Sequence, residues 1–326
     1  MTRVIDFHSH FEEWEVSSRG GAHNVLSGFG AQRRERAVPN DGRRYLIQQG
    51  LLDARTQLSE MDRLGIDVHV ISLTGVICNT DWAEPAESAA LNRRANEGCA
   101  EWVRLAPDRF VGTCTLPLQD VAAAVRELDY AVDRLGLRVV SLSSNCRGNY
   151  LGEEPFLPLW EAIHAKAVPV FIHPHGMTDR KLQPYFLWNG IGQPMEETRV
   201  MASLIFEGVL DRFPGLKIVM AHGGGYFPHY TGRLDRNYQS NPASRIHITK
   251  PPSEYLRDFY YDSCVYSPSV LAALASRVGT DRIVFGSDYP VGETDPLAVL
   301  KGCAALGDAD RNLITHSTPA RILGLD

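Results

Sequence analysis

The segment Ile5-Asp6-Phe7-His8-Ser9-His10 carries two imidazoles one residue apart. Side chains two positions apart on a strand share a face, so His8 and His10 can reach one ion together. Three later apolar runs end in similar groups. They are Val170-Phe171-Ile172-His173-Pro174-His175, Val219-Met220-Ala221-His222 before three glycines, and Val284-Phe285-Gly286-Ser287-Asp288-Tyr289-Pro290. Imidazole nitrogens and a carboxylate suit one borderline divalent cation, Zn2+ before Mn2+. Such an ion polarises a substrate oxygen or lowers the pKa of bound water towards ~7.

Each of these groups follows a short β-rich run. Strands are expected at Arg3–Phe7, Val68–Leu73, Phe110–Leu116, Leu137–Leu142, Val168–His173, Leu216–His222, Phe259–Ser263 and Arg282–Ser287. Period-3.6 patterning marks helices between them, including Asp53–Leu64, Val121–Leu135, Pro155–Ala165, Glu196–Arg212 and Pro268–Arg277. Eight strands alternating with helices imply right-handed βαβ units, in a closed barrel or an open sheet. No GxGxxG or GxxxxGK[ST] turn follows strand one, which favours an α/β fold of the (β/α)8 TIM barrel type. The C-terminal ends of the strands then gather His8, His10, His173, His222 and Asp288 at one mouth. A long insertion at residues 11–50 follows strand one and is expected to lie over that mouth. A second insertion, His175–Pro194, brings Tyr185, Phe186 and Trp188, of which Trp188 is a candidate for the pocket wall.

Composition narrows the class. The 326 residues, 44% hydrophobic and 22% charged, fit one barrel domain over residues 1–326. A net charge of -6 without a basic stripe argues against a nucleic-acid partner. The six cysteines form no CxxC pair, which argues against a cysteine-ligated zinc and for buried thiols in a reducing compartment. No apolar run is long enough for a membrane span and no leader pattern is evident, so a cytoplasmic location is expected.

The motifs IDFHSHF, PxRFVGTCTLPLQD from Pro107, FIHP, MEETR, FPGLKIVMAHGGGYFPHYTGRLDR and VFGSDYP resemble the amidohydrolase superfamily. More narrowly, they resemble its branch of metal-dependent decarboxylases related to aminocarboxymuconate semialdehyde decarboxylase. The resemblance covers nearly the whole chain. It implies one divalent metal per chain on His8, His10, His173 and Asp288, with His222 moving protons beside it. It also implies a homodimer in which Arg233 grips a substrate carboxylate across the interface. The branch has an aromatic residue where this chain has His175, making His175 a candidate substrate contact. It also has a substrate-binding arginine where this chain has Tyr45 or Leu46, beside Arg43 and Arg44.

The expected activity is non-oxidative decarboxylation of a small aromatic or unsaturated carboxylate, with His222 and Asp288 as catalytic groups. Hydrolysis or hydration of a small carboxylate, lactone or amide is the alternative on the same barrel. A non-catalytic metal-bound subunit is a third reading. Val139-Val140-Ser141-Leu142-Ser143 offers no lysine to bridge two metals, which disfavours a binuclear hydrolase.

Overall fold

The computed structural model describes residues 2–20, 49–175 and 179–325. Its frame is one sheet of eight parallel strands. They are β1 (Ile5–Phe11), β2 (Val68–Leu73), β3 (Phe110–Cys114), β4 (Val139–Ser143), β5 (Val170–His173), β6 (Ile218–Met220), β7 (Phe259–Asp262) and β8 (Ile283–Val284), paired in that order. The sheet closes on itself beyond β8, where Phe7 N donates to Phe285 O, Asp288 N to His8 O and His10 N to Tyr289 O, each at 2.8 Å. The eight-stranded barrel expected from the sequence is therefore present.

Helices surround it. Ala54–Leu64 begins where Asp53 accepts hydrogen bonds from the backbone of Arg55 and Thr56, satisfying donors that the first turn leaves free. Val121–Asp133 begins likewise on Asp120. Two apolar layers follow from strand alternation. Ile5, Phe7, Val68, Val70, Val139, Phe171 and Val219 fill the barrel. Ile71, Val140, Ile172 and Met220 point out against Met61, Leu128, Trp160 and Leu204 of the helices.

The strand ends differ from the expected boundaries in ways that matter for the site. β1 extends to Phe11 instead of stopping at Phe7, because its pairing with β2 continues to Phe11↔Leu73. Within it the register steps from Asp6↔His69 to Ser9↔Ile71, leaving Phe7 and His8 opposite Val70 alone. This β-bulge changes which side chains point inward. Ile5 and Phe7 face the interior, and strict alternation would have turned His8 and His10 outward. With the extra residue, Phe7 and His8 both pack on Phe171, at ring separations of 6.2 and 4.9 Å.

β6 and β8 are shorter than expected, so His222 and Asp288 sit in turns beyond them. The expected helix Glu196–Arg212 is two, Gln193–Phe206 and Val209–Arg212, divided by Gly208 at a left-handed φ of 75°. The longest helix, Pro85–Leu105, is not among those singled out from the sequence. Phe11 belongs to β1 and Trp14–Gly20 is helical, so the insertion after strand one starts later than residue 11. Arg43, Arg44, Tyr45 and Leu46 lie outside the described residues.

Candidate metal centre

His8 and His10 rise from β1, His173 ends β5, and Asp288 lies in the turn after β8. One ligand atom from each falls within 4.8 Å of all the others, and all four residues are buried. His8 Nε2 lies 3.1 Å from His10 Nε2, and these atoms lie 3.2 and 3.0 Å from Asp288 Oδ1. Ligands held about 2.0–2.2 Å from one ion at nearly right angles stand roughly 3 Å apart.

The donor chemistry passes the same test. His8 Nδ1 donates to Asp262 Oδ2 at 2.5 Å, and His173 Nδ1 donates to the carbonyl of Pro174 at 3.1 Å. Ser72 Oγ donates to Ser9 O and so receives His10 Nδ1–H at 3.0 Å. Each ring thus carries a hydrogen on Nδ1 and turns Nε2 to the centre, the arrangement that metal-binding histidines show. Two Nε2 atoms 3.1 Å apart call for positive charge between them, a metal ion or a proton. A single divalent metal fits the site.

Burial opposes a charged His8, yet the Asp288 and Asp262 carboxylates override it and push His8 up to about 9. Burial would raise Asp288, but positive His8 and the bonds from His10 and His222 hold it well below the carboxylate range. Burial keeps His10 and, more strongly, His173 below the usual imidazole range, so both stay neutral.

His222 stands beside this cluster. Its Nδ1 lies 2.5 Å from buried Glu197 Oε1 and its Nε2 3.7 Å from Asp288 Oδ2. Burial disfavours the imidazolium, but the Glu197 charge and Asp288 raise His222 well above the ordinary range. The turn that places it is tight. His222 has a φ of 46°, and Gly223, Gly224 and Gly225 are also left-handed. A Cβ on Gly225 would run into the carbonyl oxygen of Pro194, so glycine is required there.

Sequence reasoning missed several partners. Tyr266, at a φ of 56°, donates to Asp288 Oδ2 at 3.0 Å and stacks near His222. Glu197 lies inside the MEETR motif, and Asp262 ends β7 as His173 ends β5. That shared strand-end position was a signal available for Asp262, while Tyr266 had none.

A cleft of about 560 Å³ opens beside His222, lined by Gln193, Pro194, Tyr226, Val265, Tyr266 and Val270 among others. Trp188 is buried against Phe186, and its neighbours Asn189 and Gly190 reach the cleft wall instead. His175 turns to a different cleft, with Nε2 3.3 Å from Asp81 and Asn79 beside its ring. Arg233 is exposed on the helix Gly232–Ser240 and is not brought to the centre within one chain.

A closed parallel barrel with a buried His/Asp centre at its C-terminal mouth defines a class of metal-dependent enzymes. The amidohydrolase family profile matches residues 5–325, and the chain belongs to that family. It is 30% identical over 285 residues to 2-amino-3-carboxymuconate-6-semialdehyde decarboxylase of Dictyostelium discoideum, covering 86% of this chain and 79% of that protein. It superposes on 5-carboxyvanillate decarboxylase of Sphingomonas paucimobilis with a TM-score of 0.87, at 25% identity over 99% of both chains. A dihydroxybenzoic acid decarboxylase of Polaromonas, solved with bound manganese and the inhibitor 2-nitroresorcinol, aligns with a TM-score of 0.80. That pair is 25% identical over 100% of this chain and 98% of the other.

Asp262→Asn leaves the shape of the β7 end nearly intact while weakening the acceptor for His8 Nδ1. Metal affinity is expected to fall about 10–100-fold, as for other outer-shell partners of metal-binding histidines. Competition with a chromogenic chelator measures it, and unchanged affinity would show that Asp262 does not support the centre.

Proposed function

We propose that this protein is a metal-dependent, non-oxidative decarboxylase of a small aromatic or unsaturated carboxylate, with Zn2+ on His8, His10, His173 and Asp288. The carrying observation is the Glu197–His222 pair, set against Asp288 and opening on a mostly uncharged cleft. The three-imidazole, one-carboxylate set favours Zn2+, with Mn2+ the alternative.

When bound, the cation supplies a Lewis acid that orients a substrate oxygen and stabilises developing negative charge. His222 supplies the proton. Loss of CO2 leaves the electron pair of the broken bond on carbon, and a proton delivered from Nε2 completes the balance. Glu197 holds Nδ1, so the ring keeps its orientation as it gives and regains that proton. Asp288 faces both the metal ligands and His222, and Tyr266 holds its outer oxygen.

Two chains form the working unit in this reading, Arg233 of each reaching the carboxylate bound in the other. His175 and Trp188 shape outlying parts of the pocket. Six free, buried cysteines fit a cytoplasmic, reducing setting.

Ortho-hydroxy- and ortho-aminobenzoates, carboxyvanillate-like acids and muconate semialdehydes, assayed with metal, should release CO2 for at least one class. Silence across that panel alongside ready turnover of esters, lactones or amides would replace decarboxylation with hydrolysis. His222→Ala should lower kcat at least ~100-fold, the scale of general acid–base catalysis, with metal content unchanged. Loss of the ion together with the rate would make His222 a ligand instead. Mixing inactive His222→Ala subunits with inactive Arg233→Ala subunits should recover part of the activity. No recovery after proven subunit exchange would count against the shared site.

A further inference from the structure

Cys264 lies two residues beyond Asp262, nearly buried, and lines the cleft that holds His222. The ligand atoms of His8, His222 and Cys264 lie within 4.8 Å of one another. No other cysteine among the described residues belongs to such a group. His8 Nε2 faces Asp288 Oδ1 and belongs to the first centre. That leaves His222 Nε2 and Cys264 Sγ, with Asp288 Oδ2 lying 3.7 Å from the imidazole nitrogen.

We propose that His222 and Cys264, with water completing the coordination, form a second and inhibitory site for thiophilic cations, Zn2+ in excess or Cd2+. Zinc–thiolate bonds of about 2.3 Å and zinc–imidazole bonds of about 2.0–2.1 Å put sulfur and nitrogen roughly 3.6 Å apart on a tetrahedral ion. The 4.8 Å bound on the His222–Cys264 separation leaves about 1 Å to close for that spacing. As the second ion binds, the thiol proton of Cys264 and the Nε2 proton of His222 both pass to the solvent, and no electron is transferred. The second ion occupies the nitrogen from which His222 gives its proton, so the site stops turnover without removing the first metal. Thiolate selects Zn2+ and Cd2+ over Mg2+ and Mn2+.

The test uses protein carrying its resident ion, freed of excess metal and titrated with Cd2+. One further Cd2+ per chain should bind with a thiolate-to-metal absorption band in the ultraviolet, while elemental analysis finds the resident ion still present. Any measurable turnover should fall at least tenfold, and added Mg2+ or Mn2+ should do nothing comparable. Cys264→Ser and Cys264→Ala, each compared with its own metal-free-of-excess state, should lose the band and the extra uptake. His222→Asn should weaken the uptake at least tenfold, read by the same band. Release of one resident ion for every Cd2+ bound, without the thiolate band, would overturn the proposal, as would equal extra uptake by folded Cys264 variants. Uptake is read independently of the substrate, so its failure is distinguishable from failure of the decarboxylation reading.

Discussion

One buried carboxylate oxygen, Asp288 Oδ1, stands 3.0–3.2 Å from two imidazole nitrogens that are only 3.1 Å from each other. With hydrogens fixed on the far nitrogens, this arrangement demands positive charge at its centre. Much of the barrel mouth can be understood as holding these atoms in place against their mutual repulsion. Closure of β1 on the segment after β8 ties Asp288 to His8 through the backbone. Asp6 reinforces the same seam by accepting from His8 N, Ser287 N and Ser287 Oγ. Burial pushes Asp6 up to about 7, opposed by these bonds, so the seam is held by a costly group that is well satisfied.

Holding side chains over a barrel mouth also requires backbone that regular strands cannot supply. His222, Tyr266 and Asp288 all adopt left-handed φ values between 46° and 57° without being glycine. Each such residue costs of the order of 1–3 kcal/mol and persists only where its surroundings determine it. Here the determining contacts are visible. Asp288 O accepts from Val291 N and Gly292 N, and the three glycines after His222 let the turn pass close to Pro194 and Tyr261. Of the seven described non-glycine residues with positive φ, these three face one another across the centre.

Much of this was legible in the sequence, because barrel strands end where chemistry begins. His8, His10, His173 and Asp288 all follow apolar runs, and that coincidence located the mouth before any coordinate was known. The geometric reason for the His8–His10 pair was incomplete, however. Alternation from Ile5 and Phe7 turns both histidines outward, and only the bulge opposite Val70 reconciles a filled barrel with inward imidazoles. A bulge of one residue leaves little mark on periodicity. Glu196 and Glu197 show a second limit. They are adjacent and both buried, yet Glu196 bonds Ser144, Asn145 and Tyr150 while Glu197 takes His222. Spacing could not separate these roles, since the partners lie on other βα units. His175 follows His173 by two residues but leaves the strand at Pro174, so it turns to Asn79 and Asp81 instead.

His8 and His222 are built alike and differ in what they can reach. Each has Nδ1 2.5 Å from a buried carboxylate, Asp262 for one and Glu197 for the other. Each turns Nε2 towards Asp288, His8 to Oδ1 and His222 to Oδ2. The His8 side chain is wholly buried, whereas that of His222 is 13% exposed and borders the cleft. Accessibility therefore separates two imidazoles that share the same electrostatic support. Asp288 joins them. A cation held by Asp288 would draw electron density through the carboxylate and weaken its hold on the His222 imidazolium. The imidazolium would then be a stronger acid, so one carboxylate couples the charge of His222 to occupancy of the metal site.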